Sequence, residues 1–128
     1  MARRTEQRRA AVVALYQSDV TGRPAPDLVD RGASPFTREL VEGVEAERGE
    51  LDDAIERHAS GWSLDRIAPL ERSILRVALH EMRSREDVPV EVAIDEAVEA
   101  AKELCGADAP SFINGVLGAV QRENGAPA

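Results

Sequence analysis

Four arginines crowd the start of the chain: Arg3, Arg4, Arg8 and Arg9, with Glu6 the one acid among the first nine residues. A guanidinium is a planar fork that meets phosphate oxygens two at a time. The chemistry open to this group is therefore anion binding. Residues 1–9 carry a net charge of +3, and the other 119 sum to −11. An acidic total argues against nucleic acid, but a basic head on an acidic body is the asymmetry of a local anion-binding patch. A solvated terminus is the plainer use of the same residues.

The remaining reactive side chains point away from catalysis. His58 and His80 have no second His or Cys one helical turn away, and a metal site needs more ligands than that. Cys105 is the only cysteine, so no intrachain disulfide can form, which fits a reducing cytoplasm. It falls on the inner face of its helix, where a small buried hydrophobe is expected. Glu91, Asp95, Glu99 and Glu103 recur at steps of four. That spacing makes one solvated helix face, which also repels nucleic acid. No glycine-rich phosphate loop, dinucleotide fingerprint or nucleophile elbow occurs. The residues predict no enzyme, no cofactor and no metal; a binding protein remains.

The elements that must position these residues read as helix after helix. No stretch alternates strictly with β-branched enrichment, no internal repeat stands out, and no run of about 18 apolar residues spans a membrane. The N-terminus lacks the apolar core of a secretory signal. The first helix is predicted from about Arg4 to Asp19, with Arg4 and Arg8 on a stripe apart from Val12, Leu15 and Tyr16. Residues 21–34 hold two Pro and two Gly and read as a loop, with one helical turn near Asp27–Asp30. Ser34 and Pro35 are suited to open the next helix. Phe36, Leu40, Val44, Leu51, Ile55, His58 and Trp62 sketch one long stripe, broken or bent at Gly49 and stopped at Gly61. Pro69 opens a helix apolar nearly all round, the mark of a central helix. A turn at Pro89 leads to an amphipathic helix closed by Gly106, and a last helix follows. Gly115 and Gly118 in that helix are expected to let a neighbouring helix approach. The fold class expected is all-α: a compact bundle of about six to seven helices.

The segments "ERSILRVALHEM", "DVPVEVAIDEAVEAAK" and "FINGVLGAV" resemble the C-terminal half of the NusB family of bacterial transcription antitermination factors. "RRTEQRRAAVVALYQSDV" and "FTRELVEGV" are similar to that family's first and second helices, so the resemblance spans nearly the whole chain in order. It implies one RNA-binding domain of two small packed sub-bundles, about 1–62 and 63–122, with a frayed tail at 123–128. It implies binding to the boxA segment of ribosomal RNA leader transcripts together with NusE, a ribosomal protein. The pair would join RNA polymerase and other Nus factors in the cytoplasm, so that transcription runs past terminators, with no catalysis and no cofactor.

Carried over residue by residue, the resemblance implies RNA contacts at Arg3, Arg4, Arg8, Arg9, Tyr16, Asp108 and Phe112, with Phe112 beside the arginine-rich helix. It implies partner contacts at Glu71 and His80. Each has a plainer use. Phe112 shares a stripe with Val116 and Val120, Tyr16 fits a core position with its hydroxyl tethered, Asp108 fits a helix N-cap, and Glu71 and His80 fit ordinary exposed polar sites. Thr5, Glu6 and Gln7 interrupt the denser basic run common in the family, which predicts weaker RNA binding without the partner and a shallower salt dependence. Two other roles belong to the same fold: the RNA-recognition domain of a methyltransferase, whose cofactor-binding βαβ region these 128 residues do not contain, and a homodimer that hides its RNA face.

Overall fold

The computed structural model describes residues 3–125. Six helices follow in order: α1 (Arg4–Thr21), α2 (Pro35–Ala46), α3 (Arg48–His58), α4 (Pro69–Ser84), α5 (Val90–Leu104) and α6 (Ala109–Gly125). Single 3₁₀ turns at Ala25–Leu28 and Leu64–Arg66 punctuate the longer connections. No strand occurs among the described residues.

Helix boundaries follow local chemistry. Gly22, at φ +78°, ends α1 and returns its N–H to the Ser18 carbonyl. At α2 the Ser34 hydroxyl accepts the Thr37 N–H at 3.1 Å, with Pro35 in the first turn. The long stripe divides at Glu47, not at Gly49, which lies inside α3 with open space where a side chain would stand. The two halves serve different neighbours: α2 packs on α1 and α4, α3 on α4 and α6. One straight helix could not reach both. Ser60 at φ +50° and Gly61 at φ +89° then turn the chain sharply. That turn lifts Trp62 off the stripe and onto the surface, 47% exposed.

Helix α4 touches every other helix. All residues from Ser73 to Glu81 are buried, as its apolar circumference predicts. Three polar side chains inside that run each bind a different part of the bundle. Arg76 reaches Asp52 of α3 at 2.7 Å and Asp19 of α1 at 2.8 Å. His80 Nδ1 lies 2.9 Å from Glu47. Glu81 takes both forks of Arg8 on α1. Burial is costly for such groups unless they are paired, so these ties fix how the helices dock.

Close helix approach occurs at a different glycine from those expected. Nothing lies within 4 Å of a Cβ built at Gly115, and at Gly118 the nearest atom is Arg122 Nη1 at 3.3 Å, on the same helix. At Gly43 a Cβ would stand 2.1 Å from His80 Cε1, so here the absent side chain makes room for a ring. Helix α6 also outruns the expected fray: Glu123 lies within it and meets His58 Nε2 at 2.6 Å. Residues 126–128 of that expected tail lie outside the described residues.

Candidate nucleic-acid interface

The basic start of α1 is positioned by carboxylates. Arg3 is exposed ahead of the helix. Arg4 spans the Phe36 ring at 4.4 Å and donates to Asp87 at 3.2 Å. Arg8 and Arg85 also lie over that ring, at 5.3 and 5.1 Å, so three guanidiniums share one aromatic. Arg85 donates twice to Asp87, at 2.9 and 2.8 Å, and also to Glu39. Hydrogen bonds from Arg85, then from Arg4, hold the Asp87 carboxyl well below the usual carboxylate range.

Arg8 corrects a sequence expectation. Its Nε and Nη2 donate to the two Glu81 oxygens at 2.8 and 2.9 Å, and Nη1 reaches Glu96 at 3.3 Å. The Arg8 and Glu81 side chains are 7% and 1% exposed. A buried fork already filled by a carboxylate cannot meet RNA phosphate. The signal was present in the spacing: Arg8 stands four residues before Val12 and seven before Leu15, on the buried stripe. Arg9 is half-buried, its side chain 15% exposed. It donates to Glu103 at 3.3 Å and lies 3.9 Å from Glu96. Tyr16, two turns on along the same face, is half-buried.

Phe112 belongs to a different place. It packs partly against the core, and its ring meets Trp62 edge to face, with centroids 6.4 Å apart. Arg66 stands over Trp62 at 5.3 Å. Together with Ile67, Glu71 and Asp108 these side chains line an open pocket of about 340 Å³. No α1 residue lines it; the cation there is Arg66. Helix α1 starts at the Glu81–Arg85 end of α4, whereas Glu71 is at its other end. At 1.5 Å per residue, the 14 residues between Glu71 and Arg85 separate the two regions by about 20 Å. The exposed Asp108 provides the backbone carbonyl that accepts the Phe112 N–H at 3.3 Å.

The two expected partner residues also part company. Nine residues at 100° each place Glu71 and His80 on opposite sides of α4. Glu71 lines the pocket. His80 is not an exposed polar group: it is buried against Gly43, and its Nε2 has no hydrogen-bond partner. Burial alone would raise the Glu47 carboxyl opposite it, but hydrogen bonds from His80 and Ser84 outweigh burial and lower it. Trp62 and Arg66 were missed as site residues. Their signals were Gly61, which interrupts the stripe just before Trp62, and the one-turn spacing of the pair.

The NusB family profile matches residues 5–122. The chain belongs to the NusB family. It is 46% identical over 123 residues to the transcription antitermination protein NusB of Rubrobacter xylanophilus, covering 91% of this chain and 88% of that one. To the protein of the same name in Saccharopolyspora erythraea it is 43% identical over 129 residues, covering 94% and 87%. Among solved structures, T. maritima NusB superposes with a TM-score of 0.87 at 30% identity, over 95% of this chain and 92% of that one. A complex of antitermination factors NusB and NusE with double-stranded RNA contains a chain that superposes at 0.80 with 26% identity, over 94% and 96%. The all-α bundle is thus the NusB fold. Among the described residues, no helix is long and apolar enough to cross a membrane, and no group of three or more His, Cys, Asp or Glu could hold a metal ion.

Proposed function

We propose that this chain is a cytoplasmic transcription antitermination factor that binds boxA RNA of ribosomal leader transcripts together with NusE, and so joins the RNA polymerase complex. The observation that carries this reading is family membership over residues 5–122, with relatives of that name at 43–49% identity. The fit to a chain from a NusB–NusE–RNA complex supports both partners. The protein acts by binding, with no catalytic step, as one domain of two packed sub-bundles, about 1–62 and 63–122.

The geometry revises which residues serve RNA. Arg3, Arg4 and Arg9 supply charge at the start of α1, while Arg8 and His80 hold the fold. Tyr16 extends the Arg9 face. Phe112 and Asp108 serve RNA at the far pocket. Glu71 and the exposed acids of α5 suit a basic ribosomal partner.

A gel shift with boxA RNA, run with and without NusE, tests the reading. A shift that strengthens when NusE is added is expected. No shift in either lane overturns it.

A further inference from the structure

From the cluster around Phe36 we infer that Asp87 is an autoinhibitory stand-in for phosphate: its carboxylate fills an oxyanion site made by Arg4 and Arg85 until the RNA backbone displaces it. The inference rests on the RNA-binding reading. It adds to that reading a competing carboxylate, Asp87, and a further cation, Arg85, neither of which the family resemblance supplied.

The site is built from separate elements. Arg4 comes from the first turn of α1, and Arg85 follows the last residue of α4. Both guanidiniums lie over the Phe36 ring of α2, at 4.4 and 5.1 Å from its centroid. Phe36 is itself buried, so it is a fixed platform for the two planes. Arg4 Nη2 and Arg85 Nη2 donate to the same oxygen, Asp87 Oδ2, at 3.2 and 2.8 Å, while Arg85 Nε donates to Oδ1 at 2.9 Å. Two forks thus converge on one oxyanion. A phosphate offers the same kind of oxygen pair as a carboxylate, so a site that holds one also fits the other.

Exposure decides which arginines can be released. The Asp87 side chain is 50% exposed and stands on the short turn between α4 and α5. Water can replace its arginines there, as it does in exposed ion pairs. Glu81 is buried and has no such exit, so Arg8, the third guanidinium on the ring, stays committed. Glu39 of α2 accepts from Arg85 as well and keeps that guanidinium in place when Asp87 leaves. Arg3, exposed just ahead of α1, extends the same basic edge.

The test compares Asp87→Asn with Glu86→Gln, which removes the same unit charge from an exposed position in the same turn. Binding of a labelled single-stranded boxA oligonucleotide is followed by anisotropy at several salt concentrations, with the full chain and NusE, and melting temperatures confirm the fold of each variant. Asp87→Asn should tighten binding about fivefold, the upper end for release of an exposed ion pair. Glu86→Gln should change it little. Adding Arg85→Gln to Asp87→Asn should remove the gain and flatten the salt slope by about 0.7, one phosphate contact on a single strand. Asp87→Asn binding as wild type or more weakly overturns the site. So does equal tightening by Glu86→Gln, which makes the effect one of net charge alone, or a double variant that keeps the whole gain. Failure of the wild type to bind RNA with NusE present instead overturns the antitermination reading and this inference with it.

Discussion

The two ends of α4 present charge and aromatic surface in opposite ways. At the α1 end, arginines are abundant but committed: Arg8 to Glu81, Arg4 and Arg85 to Asp87, Arg9 to Glu103. The aromatic there, Phe36, is buried beneath them. At the other end one arginine, Arg66, accompanies two aromatics, and the larger of these stands in solvent. A count of positive charges ranks the first end as the better nucleic-acid surface. Pairing changes the ranking, because a guanidinium held by a carboxylate must give up that partner before it meets a phosphate. The lesson is that sequence charge measures supply, while the structure shows what is already spent.

The contrast is sharpest at Arg8. Arg8→Ala leaves Glu81 buried and unpaired, and should cost about 3–5 kcal/mol of stability in thermal or denaturant unfolding. Adding Glu81→Gln should recover part of that loss. If Arg8→Ala instead lowers RNA affinity with the melting temperature unchanged, the division between the two ends is wrong.

Glycine offers the same comparison between packed and open positions. Gly43→Ala drives a methyl into the His80 ring and should destabilise by about 1–3 kcal/mol. Gly115→Ala meets nothing and should stabilise α6 by up to about 1 kcal/mol. Equal effects at the two sites would contradict the helix packing described above.

Acid should act through the paired carboxylates. Because Glu47 is lowered in the folded state, its contribution is complete above its ordinary value of 4.5 and is lost as pH falls through the lower folded value. Melting temperatures measured across that acid range should fall less steeply in Glu47→Gln than in wild type. The smallest effect is expected at the exposed Arg9–Glu103 pair. Glu103→Gln should raise RNA affinity only a few-fold, most visibly at low salt in the gel shift. A large rise would mean that the carboxylates of α5 hold α1 back from RNA more strongly than exposed pairs do.

Much of the fold was legible because helical periodicity is local. The central placement of α4 followed from its apolar circumference, and the outward row of Glu91, Asp95, Glu99 and Glu103 followed from its four-residue spacing. Less of the site was legible, because exposure depends on what a residue meets. Arg8 looked like a free cation until Glu81, 73 residues away, was brought against it. Trp62 looked like core because its stripe was extrapolated through a glycine turn.

The amino-acid sequence by itself determined the helices, their apolar faces, the charge asymmetry and the family motifs, since all of these rest on spacing within a turn or two. Only the tertiary structure decided which charges were spent on one another, which glycine received a neighbour, and which aromatic was left outside. Those outcomes depend on pairings between helices distant in the chain. A buried charge there takes whatever partner the packing presents, because burial without one is too costly.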